Sequence, residues 1–280
     1  MLIAIITGLS ALTAAVLCLG TGAFESLAWI WALPVSLIGG FVLYAGLAFG
    51  FLMLAIAPLD PHATVEKDSR FYRTLANLCI EAILTFARVR VHTRGLEKTP
   101  KEGRFMLVCN HLHEADPAIL LHYFRKSQLA FISKRENASM FVVGKLMPQL
   151  LCPLINREND REALKTILRC IQILKEDKAS VAVFPEGYIR PDRKFHELRA
   201  GVFKIAQKAN VPIVVCTITN TNHVVKNFLK LRPTDVELHL LEVIPAESLK
   251  GKSTVEIADY VHKIMAEDLG EAYRPAEENT

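Results

Sequence analysis

The sequence predicts an α/β fold, a mostly parallel sheet flanked by helices, with an N-terminal transmembrane helical hairpin. Two observations lead there. Residues 1–59 hold no Lys or Arg and one acid, Glu25, whereas all 33 Lys and Arg and 28 of the 29 acids of the 280-residue chain come later. From residue 88 onward, short apolar runs alternate with amphipathic helical patterns, the signature of strands crossing over through helices. An uncharged stretch of this length has no place on a wet surface, and a chain that is 51% hydrophobic is not disordered. The remaining residues suffice for one substantial core.

The first apolar run, 2–19, is just long enough for a hydrocarbon core of about 30 Å, which takes roughly 20 helical residues. The second, 27–57, has residues to spare, with Pro34 marking its interfacial end and Trp29 and Trp31 at the headgroups. Gly20-Thr21-Gly22 turns between them, and Glu25 stays wet. A cleaved signal peptide is the competing reading of the first run, but it lacks a basic flank and a second span follows. The division is then residues 1–59 for two transmembrane helices, 60–87 for an amphipathic bridging helix, 88–272 for the α/β domain and 273–280 for a tail. Lys67, Arg70 and Arg73 follow the second span, so positive-inside logic places a multi-pass protein in the cell membrane with its α/β domain in the cytoplasm.

Asp68–Arg90 carries Phe71, Leu75, Leu78, Cys79, Ala82 and Phe86 at helical spacing, with Arg70, Arg73 and Glu81 elsewhere around the wheel. Such a helix either lies at headgroup level or packs on the domain core. Arg88–Arg94 alternates as a strand. Phe105–Cys109, Leu129–Ile132, Val181–Phe184 and Ile213–Thr219 are buried strands, and Asp235–Ile244 is an antiparallel or edge strand. Asp160–Lys175, capped by Asp160, Leu198–Ala209 and Ser253–Leu269 are helices, the last opened by the capping box Ser253-x-x-Glu256. Ala276–Thr280 frays.

None of the six cysteines forms a C-x-x-C pair, which disfavours a disulfide framework or a zinc site and fits reduced thiols. The net charge of +4 is too small and too dispersed for nucleic acid, but it suits anionic lipid or anionic substrates.

Ligands of open α/β sheets bind beyond the carboxyl ends of the strands. His111 emerges where one strand ends. Five positions on a helix turn about 500°, so His111 and Asp116 share no helical face. A loop between them would fold the carboxylate onto the ring, and such a pair makes a general base. Asp116-Pro117 is equally a helix cap followed by proline at N1. Phe184 leads straight into Pro185-Glu186-Gly187, where Gly187 permits positive φ and Glu186 follows four apolar residues. Arg157 ends the run Cys152–Asn156, and a guanidinium there can fork onto phosphate oxygens. His111-x-His113 with Glu114 and Asp116 also reads as a metal-ligand cluster of a hydrolase, but no third histidine is placed to complete it.

Asn110-His111-x4-Asp116 resembles the N-H-x4-D box of the 1-acyl-sn-glycerol-3-phosphate acyltransferase family of glycerolipid acyltransferases. Phe184-Pro185-Glu186-Gly187 matches its F-P-E-G box. Leu154-Ile155-Asn156-Arg157 is similar to its F-I-x-R box, with Leu154 in place of Phe and Leu151 where Gly is usual. Val211-Pro212-Ile213-Val214 resembles the start of V-P-I-V-P-V, with Val215 replacing the second Pro. The family often continues F-P-E-G with Thr-Arg-Ser, where this chain has Tyr188-Ile189-Arg190, and His113 stands where Ser is common.

The resemblance covers residues 88–245 and implies a membrane-bound O-acyltransferase of phospholipid synthesis. His111, oriented by Asp116, would take the proton of a lysophosphatidic acid hydroxyl, whose oxygen attacks the thioester of acyl-CoA or acyl-carrier protein. Arg157, Glu186 and Gly187, with Arg190 as a further candidate, would hold the acceptor phosphate. The partners implied are membrane lipids, a lysophospholipid acceptor and the thioester donor; no metal or other cofactor is required. Glycerol-3-phosphate or another lysolipid is the alternative acceptor. A metal-dependent hydrolase and an inactive membrane scaffold are the alternatives of other classes.

Overall fold

The computed structural model describes residues 1–156 and 159–275. Arg157 and the tail 276–280 therefore lie outside the described residues. Helices α1 (Leu2–Gly20) and α2 (Trp29–Ile56) are both long and apolar enough to cross a membrane. They pack as a hairpin. Ile6, Ser10, Ala14 and Cys18 recur every fourth residue on α1 and are buried. A Cβ on Gly40 of α2 would meet Ser10 Cα at 3.2 Å, a close approach of the kind small residues permit between apolar helices. Thr13 and Tyr44 share a hydrogen bond of 2.7 Å. Pro34 lies inside α2 rather than at its end. Five residues into the helix, its missing N–H frees only the carbonyl of Ile30. At about 1.5 Å per residue α2 is longer than a bilayer core. Its C-terminal end reaches the domain, where Lys145 Nζ donates to the carbonyls of Ile56 and Ala57.

The bridging helix α3 (Arg70–Phe86) is shorter than expected and starts at a Ser69 cap. It packs on the domain core with one face and leaves apolar side chains exposed on the other. Phe71, Ile83 and Phe86 are exposed, while Arg73 and Ala76 are buried against the domain. Arg73 was expected among the flanking surface charges. Instead its guanidinium meets Asp68 at 2.5 Å and donates to the carbonyls of Leu129 and Leu150. A buried cation is tolerated because every direction it points finds an oxygen.

The rest of the chain runs through β1 (Val89–Arg94), β2 (Met106–Val108), α4 (Asp116–Tyr123), β3 (Leu129–Phe131), β4 (Ser133–Lys134), α5 (Val143–Gln149), β5 (Leu154–Ile155) and α6 (Asp160–Lys175). It continues through β6 (Ser180–Val183), α7 (Lys204–Ala209), β7 (Ile213–Thr219), α8 (Val224–Leu229), β8 (Thr234–Ile244) and α9 (Thr254–Leu269). Six strands form one mixed sheet in the order β1-β8-β7-β2-β6-β3, and β4 pairs with β5 apart from it. Every pairing in the main sheet is parallel except β7 with β8. β8 is antiparallel as its alternation implied, but it is not an edge, because β1 covers its outer side. One apolar layer packs α6, α7 and α9 on one face of the sheet; the other packs α3, α4 and α5 on the opposite face.

Three local expectations change. Asn159, not Asp160, caps α6 by accepting from the N–H groups of Arg161 and Glu162. The helix expected over 198–209 opens with a 3-10 turn, Ala200–Phe203, before α7. Leu151, at the usual glycine position, does adopt a left-handed conformation with φ of 58°. Its side chain is buried, and that burial, worth roughly 1.5–3 kcal/mol, offsets a strain of about 1–2 kcal/mol. The capping box of α9 forms as expected, with Ser253 and Glu256 bonding reciprocally.

Candidate active site

β2 and β6 are parallel neighbours with Val108 opposite Val183, so the loops that follow them leave the sheet side by side. That register brings Asn110-His111 against Pro185-Glu186. β2 stops after three residues while β7 runs on to Thr219. Asn110 fills the place a longer strand would take. Its Nδ2 donates to the Ile218 carbonyl at 2.8 Å, and its Oδ1 accepts from the Ile218 N–H at 2.7 Å. The amide thus satisfies both main-chain groups of Ile218 and aims the next residue away from the sheet.

His111 Nδ1 lies 2.9 Å from Asp116 Oδ2. The same oxygen accepts from the N–H groups of Leu112 at 2.7 Å and His113 at 2.8 Å. Three donors therefore fold the 112–115 loop around one carboxylate that is wholly buried. Asp116 is the first residue of α4, yet its side chain turns back to the loop and accepts nothing from the helix. The carboxylate fixes the imidazole as the Nδ1–H tautomer, leaving Nε2 to accept a proton. The ring is 17% exposed and lies flat on Phe184, with centroids 4.0 Å apart and planes 12° apart. Phe184 in turn stacks on Phe131 at 5.6 Å. His113 accepts at Nδ1 from the Ala115 N–H, a loop-closing contact.

Glu186 is buried and faces inward. Oε1 accepts from the His111 N–H at 2.9 Å, and Oε2 accepts from the His196 N–H at 3.2 Å. Burial raises its carboxyl to about 7, against the two N–H groups that favour the ionised form. Gly187 has φ of 91°, and a Cβ there would sit 2.5 Å from Arg199 Nε.

The domain that carries this constellation has relatives. The family model described as Acyltransferase matches residues 90–219, which hold all of these groups. This part of the chain is similar to the acyltransferase family. The chain is 31% identical over 162 residues to a probable 1-acyl-sn-glycerol-3-phosphate acyltransferase of Mycoplasma pneumoniae, covering 56% of this chain and 60% of that protein. It is 25% identical over 190 residues to the 1-acyl-sn-glycerol-3-phosphate acyltransferase of Borreliella burgdorferi, covering 66% of this chain and 75% of the relative. The crystal structure of the acyltransferase PlsC from Thermotoga maritima superposes with a TM-score of 0.58 at 22% identity, over 82% of this chain and 90% of that one. At that identity the likeness speaks for the fold.

Within the matched region the expected site residues divide. His111 and Asp116 meet. Glu186 joins them through the His111 N–H but spends both oxygens on main-chain N–H groups, and Gly187 lies against Arg199. Arg190 stacks its guanidinium over Tyr188, 4.6 Å from the ring centroid, and its charge acts favourably on the Glu186 carboxylate. Among the described residues no three His, Cys, Asp or Glu side chains gather as a metal-ligand group. Sequence reasoning missed Arg193, whose Nη1 donates to the Leu112 carbonyl and pins the 112–115 loop from outside. It also missed the bracing roles of Asn110 and Phe184. Arg193 follows no spacing that a sequence exposes; Asn110 and Phe184 sit inside the recognised boxes and carry that signal.

Two predictions arise here. A carboxyl raised in the folded state binds its proton more tightly there than in the unfolded chain. Its stabilising contribution is therefore complete below pH 4.5 and is lost as pH rises through about 7. Glu186→Gln is expected to remove that decline, roughly 3 kcal/mol across the interval, from the stability–pH curve. Melting temperatures of both proteins in the same detergent from pH 4.5 to 7.5 check it; parallel curves would refute it. Gly187→Ala is expected to destabilise the acyltransferase domain by about 1–3 kcal/mol, because the methyl must displace Arg199 and the φ must be held. An unchanged melting temperature would show that the loop relaxes freely.

Proposed function

We propose that this chain is a membrane-bound O-acyltransferase that moves an acyl group from a thioester to the hydroxyl of lysophosphatidic acid. The observation that carries the reading is the His111–Asp116 pair at the strand end, its Nδ1 held by one buried carboxylate and its ring partly open to solvent. The names of the relatives supply the acceptor.

In the proposed step Nε2 of His111 takes the hydroxyl proton as the oxygen attacks the thioester carbon. Asp116 stabilises the imidazolium. The C–S bond then breaks, the new ester C–O bond remains, and the departing thiolate takes the proton back from His111. The step consumes no metal and no redox cofactor. The donor is acyl-CoA or acyl-carrier protein. Both substrates carry long apolar chains, so a site tethered to the bilayer meets an acceptor already resident there. The exposed Lys67 and Arg70 after α2 support a cytoplasmic domain beneath a multi-pass anchor; Arg73, being buried, does not contribute.

Purified full-length protein offered lysophosphatidic acid, other lysolipids and glycerol-3-phosphate, each with both thioesters, tests the reading. Ester formation with lysophosphatidic acid is expected to be fastest. Preference for glycerol-3-phosphate would move the acceptor assignment, and thioester hydrolysis alone would end it.

We assign the acceptor phosphate to Arg157, the arginine of the third box. One charge-assisted bond is worth about 1.5–3 kcal/mol. Arg157→Ala is thus expected to raise the acceptor KM by about ten- to a hundredfold, with partial rescue by Lys, which lacks the fork. A rise confined to the thioester KM would give Arg157 to the donor.

A further inference from the structure

An apolar track leads away from the hairpin and ends on α8. Phe51 of α2 meets Phe71 of α3 edge to face at 6.4 Å. Further along α3, Ile83 and Phe86 are exposed one turn apart. Phe86 then packs against Phe228 of α8, with centroids 5.5 Å apart. Beyond it Leu229 is 75% exposed and Leu231 is 73% exposed, with Val225 on the same side of the helix. Isolated exposed apolar residues need no explanation, but Phe86, Phe228, Leu229 and Leu231 gathered at one tip do.

The tip is built rigidly. Leu231 has φ of 54°, a strained conformation for a leucine. At Leu151 burial offsets that strain; at Leu231 nothing in water does. The turn is nonetheless fastened on several sides. The N–H groups of Lys230 and Arg232 both donate to the Asn227 carbonyl. Leu231 N donates to Phe228, Arg88 Nη1 donates to the Leu231 carbonyl, and the Asn227 amide holds Thr234. The fold holds a leucine outward at a cost that aqueous solvent does not repay.

Around this tip stand Lys226, Lys230 and Arg232, all exposed. Among the described residues none of the three pairs with a carboxylate. An apolar tip ringed by free cations matches the interface of an anionic bilayer, where apolar groups enter the acyl region and the long basic side chains reach headgroup phosphates. A second copy docked symmetrically would set the same cations against one another.

We propose that α8 and the turn through Arg232 form a second membrane contact, which buries Phe228, Leu229 and Leu231 in the bilayer interface and binds anionic lipid through its basic rim. The proposal goes beyond acyl transfer and rests on the membrane reading of the hairpin. It gives the domain two points of attachment instead of one tether.

The test uses full-length protein in vesicles of phosphatidylcholine and phosphatidylglycerol, with single environment-sensitive labels at Leu229→Cys, Ile38→Cys in α2, or Asp259→Cys. Asp259 is exposed on α9, across the sheet from α3. Brominated acyl chains are expected to quench the labels at 38 and 229 and to spare the label at 259. Each cation near an anionic surface is worth about fivefold in local partitioning. Replacing Lys226, Lys230 and Arg232 by Gln, or the phosphatidylglycerol by phosphatidylcholine, should therefore weaken quenching at 229 but not at 38. Quenching at 38 with a water-like label at 229 overturns the proposal and leaves the hairpin reading intact. Loss of quenching at both sites overturns both. A label at 229 that is shielded in proportion to protein density, yet untouched by brominated lipid, gives the surface to a second copy and also refutes the proposal.

Discussion

His111→Ala is expected to lower kcat by about 10²–10⁴-fold, the usual worth of a general base, while leaving the fold in place. The structure separates the two effects. Among the described residues the imidazole makes one side-chain hydrogen bond, to Asp116, and it is partly open to solvent. The features that shape the loop belong to the main chain: the His111 N–H to Glu186, and the Leu112 and His113 N–H groups to Asp116. Alanine keeps all three. It loses the ring stacked on Phe184, a contact worth about 0.5–1.5 kcal/mol, so the melting temperature should fall only slightly. Thioester KM should stay near that of the parent protein. Turnover within a few-fold of the parent at saturating donor and acceptor would remove His111 from the chemistry, whatever its geometry.

The site and the fold differ in how far the sequence discloses them. His111, Asp116, Glu186 and Gly187 are legible because short-range patterns carry them: a strand that ends, a polar loop, a glycine after an apolar run. The direction of the Asp116 side chain is not legible, since Asp-Pro at a helix start fits a cap as well as a loop-binding carboxylate. Only the three-dimensional convergence of three donors decides it. Glu186 shows the same limit. Its burial is visible as four preceding apolar residues, but its partners His111 and His196 lie 75 and 10 positions away. The alternation of β8 is legible and fits an antiparallel or an edge strand alike, whereas its inner place in the sheet depends on β1, some 140 residues earlier. Arg73 misleads because helical periodicity ranks residues by hydropathy, and a buried ion pair inverts that ranking.

Asp116→Asn is expected to cut kcat by a similar factor, and it is the sharper test because the substitution is nearly isosteric. In the parent protein Oδ2 accepts all three bonds and Oδ1 is buried with no partner among the described residues. Asparagine has two ways to sit. With its carbonyl in the place of Oδ2 it retains the three bonds and puts the NH2 group where Oδ1 was, a buried donor without an acceptor, at about 1–3 kcal/mol. Turned the other way, the NH2 faces three donors, which is worse. The first arrangement preserves the loop and leaves a neutral amide beside the imidazole. An amide does not stabilise an imidazolium as a carboxylate does, so the proton transfer to Nε2 loses its driving force. The expected signature is a large loss of kcat, a modest loss of stability and acceptor binding close to normal. Asp116→Ala supplies the contrast: with all three bonds gone, the 112–115 loop should lose its shape and stability should fall further. If the role of Asp116 were only to start α4, asparagine, itself a good cap, would leave kcat and stability unchanged. A fully active Asp116→Asn protein would therefore leave His111 without its orienting partner and overturn the proposed mechanism at its first step.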